Sequence, residues 1–105
     1  MTITASVTPA RELTRVVTIS HFDDAGSPAA AAYDVGFVPR YIRVENTTDR
    51  ICNEWFEGMT SGHALRSVAA GTRSIETSGG PTLAAVDNVG FPVLQNKQYR
   101  VIVMG

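Results

Sequence analysis

The sequence predicts an all-β protein: a single jelly-roll-like β-sandwich of about eight short strands, with at most one short helical turn. Three observations support this prediction. Apolar residues recur at every second position in several runs, turn-forming residues separate those runs at short intervals, and 105 residues leave room for only one core. A small up-and-down or Greek-key barrel is the second architecture that fits the same pattern.

Three segments alternate between apolar and polar residues most clearly. They are ELTRVVTIS (12–20), in which Arg15 is a mismatch, RYIRVEN (40–46) and QYRVIVM (98–104). The last segment is apolar on both faces, which is typical of a central strand. We expect the inward-facing residues of these segments to be buried in the core, namely Val17, Ile19, Ile42, Val44, Val101 and Val103.

Clusters of Gly, Pro, Asn and Asp mark the turns between the runs, for example at 23–28 and 77–81. Two segments are ambiguous. SPAAAAYD (27–34) could begin a short helix, and HALRSVAAG (63–71) fits either a helical turn or a short strand. Residues 1–10 are predicted to be an N-terminal arm or edge strand that precedes a β-sandwich domain at 11–105.

The composition argues against several classes of protein. Nine Lys and Arg residues against ten Asp and Glu residues give a net charge of −1, so no basic footprint for nucleic acid is present. No apolar run approaches the roughly 20 residues that span a bilayer. The start of the chain lacks the features of a signal peptide, which predicts synthesis in a cytosol. A single cysteine, Cys52, excludes an internal disulfide and is expected to be buried.

The chemically reactive residues form no recognisable catalytic or metal-binding motif. His21 and His63 are far apart in sequence, and the adjacent carboxylates of HFDDAG (21–26) lack the alternate spacing of a calcium loop. Glu54 and Glu57 would point to opposite faces of a strand, so they could not close on one substrate. We therefore expect no catalytic residue, no metal and no cofactor, and a protein that is not an enzyme.

The stretch GFVPRYIRVENTTDRICNEWFEGM (36–59), followed by AL…VAAGTR…ETSGG and GF, carries a family resemblance. It resembles small virion proteins of the head-decoration or cement type in tailed bacteriophages, over about residues 30–94. The resemblance implies a capsid decoration protein that binds the outer surface of the assembled major-capsid shell and reinforces it. It also implies the phage major capsid protein as partner, a homo-oligomer (a trimer favoured over a dimer), and a location on the virion after synthesis in the host cytoplasm.

The same stretch supplies the candidate interface residues, because Trp, Tyr and Arg most often carry binding energy at interfaces. Alternation places the two neighbouring aromatic residues 55 and 56 on opposite faces, so one is expected in the core and the other exposed; the alternative is that both are core. Two further functions fit the sequence: a tail or adaptor protein, and a carbohydrate-binding β-sandwich that stacks sugars on Trp55, Tyr41 and Arg40. The candidate interface residues are Arg40, Tyr41, Arg43, Trp55 and Phe56.

Overall fold

The computed structural model describes residues 15–28, 30–85 and 87–105. This part of the chain contains nine β-strands and no helix, which confirms the all-β prediction. The predicted arm at 1–10 and the start of the predicted domain at 11–105 lie outside the described residues. The strands are β1 (Val16–Phe22), β2 (Ala31–Asp34), β3 (Tyr41–Asn46), β4 (Ile51–Phe56), β5 (Ala64–Ser67), β6 (Arg73–Glu76), β7 (Thr82–Ala85), β8 (Asn88–Phe91) and β9 (Gln98–Met104).

The strands form two antiparallel sheets that face each other as a sandwich. The larger sheet has six strands in the order β1-β9-β3-β4-β5-β6, and the smaller has three in the order β2-β8-β7. The chain changes sheet four times, between β1 and β2, β2 and β3, β6 and β7, and β8 and β9. The sandwich prediction is confirmed, and the described residues contain nine strands where about eight were expected.

In the described parts of both segments that could have been helical, the regular structure is a short strand. Ala31–Asp34 is β2 and pairs with β8, while Ala64–Ser67 is β5 and lies between β4 and β6. A helix of one or two turns satisfies few of its own backbone groups, because each end leaves four of them unpaired. Pairing with a neighbouring strand satisfies these groups more completely, so tertiary context decides the conformation.

The hydrophobic core lies between the sheets and confirms most of the predicted inward positions. Ile42, Val44, Val101 and Val103 are buried and form one cluster with Val89, Phe91 and Tyr99. Val17 and Ile19 are only half-buried, although they pack against this cluster. Among the described strands, their strand β1 lies at the edge of the larger sheet and has a neighbour, β9, on one side only.

A buried amide organises the turn between β3 and β4. Asn46 Oδ1 accepts hydrogen bonds from the backbone N–H groups of Thr48 (3.1 Å) and Asp49 (3.0 Å), and its Nδ2 donates to Asp49 Oδ2 (3.0 Å). Asp49 Oδ1 also accepts from Lys97 Nζ at 3.0 Å. This bond to Lys97 lowers the pKa of the Asp49 carboxyl below its ordinary value. Because folding lowers this pKa, the pair stabilises the folded protein at pH values above the pKa that the Asp49 carboxyl has in the unfolded chain. The stabilisation is lost as the pH falls through the lower pKa that the carboxyl has in the folded protein.

Replacing Asn46 with alanine is expected to lower the free energy of unfolding by about 1–3 kcal/mol, because it removes the acceptor for two backbone donors at a buried position. Urea denaturation followed by circular dichroism measures the change. Asn88→Ala is the matched control, since the Asn88 amide makes an exposed hydrogen bond to Asp34. Equal effects of the two substitutions would contradict an organising role for Asn46.

Candidate protein-interaction surface

The larger sheet has an outer face, which points away from the smaller sheet, and the strand register arranges its side chains in rows. The first row crosses all six strands, and the second crosses four. We call these two rows together the outer-sheet patch. The first row is Thr18, Ile102, Arg43, Glu54, Leu65 and Ile75, and the second is Val16, Met104, Tyr41 and Phe56.

The outer-sheet patch is largely apolar and contains an aromatic pair. Tyr41 and Phe56 lie opposite each other on β3 and β4, with ring centroids 5.3 Å apart and an angle of 57° between the rings. Phe56 is 44% exposed, and Val16 and Ile75 at the two ends are more than half exposed. Clustered exposed apolar side chains of this kind mark interaction surfaces more often than isolated ones do.

Three polar side chains of the patch, Tyr41, Glu54 and Arg43, are paired with each other or with charged residues beside the patch. Tyr41 Oη donates a hydrogen bond of 2.6 Å to Glu54 Oε2, and Arg73 Nη2 lies 3.9 Å from Glu54 Oε1. Burial raises the pKa of the Tyr41 hydroxyl, and the hydrogen bond to Glu54 raises it further, so the hydroxyl remains a donor. Arg43 Nη2 lies 3.2 Å from Glu45 Oε1. Part of the hydrogen-bonding capacity of these side chains is already satisfied within the protein, which lowers the cost of desolvation when a partner covers the patch.

Cys52 follows on the same face, opposite Glu45, and it is half-buried rather than buried as expected. Burial raises the pKa of its thiol, although Arg43 beside it acts in the opposite direction. The thiol is therefore protonated at neutral pH and is a poor nucleophile. Arg43 Nε is buried and has no hydrogen-bond partner among the described residues.

Three of the five candidate interface residues lie within the outer-sheet patch: Tyr41, Arg43 and Phe56. Arg40 immediately precedes β3, where its Nε lies 3.6 Å from Glu57 Oε1 in an exposed ion pair beside the patch. The fifth candidate is wrong as a surface residue. Trp55 is 5% exposed because it pairs with Ile42 on the inward face, and its Nε1 donates to the carbonyl oxygen of Met59 at 3.1 Å.

The positions of Trp55 and Phe56 bear on two expectations from the sequence: that one of the two aromatic residues lies in the core, and that Trp55 forms part of a sugar-stacking platform. Trp55 is core and Phe56 is exposed, so the expectation of one inward and one outward aromatic is confirmed. The proposed sugar-stacking platform of Trp55, Tyr41 and Arg40 does not form. Its tryptophan is buried on the inward face, whereas Tyr41 lies on the outer face of the same sheet.

Sequence reasoning missed five apolar members of the patch: Val16, Leu65, Ile75, Ile102 and Met104. The apolar outer face of residues 98–104 was the available signal for Ile102 and Met104, since β9 is central and still carries apolar residues on the side away from the core. Ile75 is a single apolar residue in the polar strand RSIE. Only the pairing of β5 with β6 places it beside Leu65.

A cavity of about 230 Å³ lies between the sheets. Its lining is mainly apolar and includes Ile51, Leu94 and Tyr99. Arg66 is the one charged residue among those that line the cavity. Its Nε donates a hydrogen bond of 3.2 Å to Asn53 Oδ1. Its Nη1 lies 3.6 Å from Oε1 of Glu76, which does not line the cavity. Glu76 therefore balances the charge of the one cationic side chain that lines the cavity.

The two histidines occupy separate places in the fold, and only the His21 side chain has an assigned side-chain contact, while its buried Nε2 has no hydrogen-bond partner among the described residues. His21 Nδ1 lies 2.6 Å from Tyr33 Oη, and its ring packs edge-on against Tyr33 and Phe91. His63 donates its backbone N–H to the carbonyl oxygen of Thr60 in the turn before β5. Within residues 15–28, 30–85 and 87–105, no three His, Cys, Asp or Glu residues are grouped as they would be around a metal ion. The same ranges contain no helix of the length and hydropathy that crossing a membrane requires.

The protein is a small antiparallel β-sandwich. The outer face of its larger sheet is mostly apolar, and several of the polar side chains on that face form ion pairs or hydrogen bonds. Comparison with known protein families, curated proteins and solved structures gives no match.

Proposed function

We propose that this protein is a phage capsid decoration (cement) protein that binds the outer surface of the assembled major-capsid shell through its outer-sheet patch and reinforces the shell. The observation that carries the proposal is the composition of that patch. It combines an aromatic pair, exposed aliphatic side chains and one arginine, Arg43, whose charge is balanced by a neighbouring carboxylate. These are the residue types that supply binding energy at protein–protein interfaces.

The mechanism follows from mass action. A protein that binds the assembled lattice and not its separated subunits stabilises the lattice by the free energy of that binding. The large antiparallel sheet presents the patch from strands rather than from loops, so little conformational entropy is lost on binding. In this proposal the partner is the major capsid protein, the location is the capsid surface, and several copies act together as a homo-oligomer.

The test measures binding to shells assembled from the major capsid protein encoded in the genome that carries this gene. Purified protein is mixed with the shells and sedimented, and the bound fraction is measured over a range of concentrations. Phe56→Ser combined with Ile75→Ser is expected to weaken binding roughly 30-fold or more, because both side chains are exposed apolar contacts of the patch.

The matched control is Val38→Ser combined with Leu94→Ser, which removes two exposed apolar side chains outside the patch. This variant is expected to bind shells as tightly as the unaltered protein. Equal binding by both double variants would show that another surface makes the contact. Failure of the unaltered protein to bind shells would refute the capsid role, and binding to tails instead would support the tail or adaptor alternative.

A further inference from the structure

Strand β1 (Val16–Phe22) forms one edge of the larger sheet among the described strands. It pairs with β9 along all seven of its residues, without a bulge. Among the described residues, no strand pairs with the other side of β1. A row of backbone N–H and C=O groups is therefore available along that side, and such a row is a template for pairing with another strand.

This edge lacks the features that normally prevent pairing. Its sequence, VVTISHF, contains no Lys, Arg, Asp, Glu or Pro. The opposite edge of the same sheet, β6 (Arg73–Glu76), is shorter and carries a charge at each end. Charged, short edges resist association, whereas long, uncharged and unbulged edges favour it. The contrast points to β1 as the edge that accepts another strand.

The sequence of β1 is complementary to itself when two copies run antiparallel about Ile19. In that register Val16 lies opposite the partner's Phe22, Thr18 lies opposite the partner's Ser20, and Ile19 lies opposite its own copy. Val16 and Phe22 are both more than half exposed, so this pairing covers apolar surface at both ends. Thr18 and Ser20 are exposed and can exchange hydroxyl hydrogen bonds.

We propose that two copies of this chain associate through β1 in this register and form a two-fold symmetric dimer with a continuous twelve-stranded sheet. When one edge strand pairs with the same strand of a second copy, the assembly closes as a dimer. A closed trimer instead requires two different surfaces on each copy. The charged edge β6 is a poor second surface of that kind. Of the two oligomers expected from the sequence, the edge geometry therefore favours the dimer. The inference does not depend on the proposed capsid role.

The test uses the full-length chain in sedimentation-velocity experiments over a concentration series from about 1 to about 200 µM, because a contact of this small size gives a weak dimer. The unaltered protein is expected to shift from monomer to dimer over this range. T18E combined with S20E places like charges opposite each other twice across the two-fold axis, and we expect the dissociation constant to rise roughly tenfold or more.

The matched control is T18E combined with S20K, which places opposite charges across the same two pairs and is expected to retain the dimer. Both positions are exposed, and thermal unfolding of each variant verifies that the fold is intact. A protein that is monomeric at every concentration would overturn the proposal. A dimer that survives T18E/S20E but is lost in Phe56→Glu would assign the contact to the part of the outer-sheet patch around Tyr41 and Phe56 instead.

Discussion

Replacing Val44 with aspartate is expected to destabilise the protein by several kcal/mol, which is a large part of the roughly 5–15 kcal/mol by which a typical domain is stable. Val44 is 4% exposed and lies in the middle of β3 among the buried residues of the core. An aspartate there would have to bury a charge away from water or take up a proton. Both alternatives lower the free energy of unfolding, which chemical denaturation measures directly.

The matched control for this substitution is Val38→Asp. Val38 is 59% exposed, so the same chemical change leaves the new carboxylate in water and is expected to alter stability by less than about 0.5 kcal/mol. If Val44→Asp unfolds at the same denaturant concentration as the unaltered protein, the inward face of β3 has been assigned incorrectly. That result would also reverse the assignment of the outer-sheet patch.

Replacing Phe91 with alanine is expected to lower the free energy of unfolding by about 3–5 kcal/mol. Phe91 belongs to the smaller sheet and is 1% exposed. Its ring centroid lies 5.8 Å from that of His21 and 6.0 Å from that of Tyr99, both in the larger sheet, and 6.1 Å from Tyr33 beside it. Truncation would leave a cavity where the two sheets are held together.

Leu94→Ala provides the control for Phe91→Ala. Leu94 is three residues further along the chain but 56% exposed, so the loss of its side chain is expected to cost less than about 0.5 kcal/mol. Thermal unfolding of both variants under the same conditions gives the comparison. Similar melting temperatures for the two variants would mean that the smaller sheet contributes little to the core.

The candidate surface was partly predictable because side chains alternate along a strand. This rule alone separates Trp55 from Phe56, and it places Tyr41 and Arg43 on the face opposite Ile42 and Val44. It cannot tell which of the two faces is covered by another sheet. Apolar content favours the face with Ile42 and Val44 as the inner one, and the structure agrees. The remaining members of the patch come from strands whose neighbours the sequence does not specify.

The sequence by itself determined the all-β class, the four most deeply buried valine and isoleucine positions of β3 and β9, and the opposite orientation of residues 55 and 56. These features depend on local alternation, which a single strand already contains. Only the tertiary structure decided that β9 lies between β1 and β3, that β1 is an edge with half-buried Val17 and Ile19, and that the outer face is continuous from Val16 to Ile75. Pairing between strands that are distant in sequence depends on backbone groups that every residue shares. For that reason the order of the strands, and with it the surface, emerges only when the whole chain is folded.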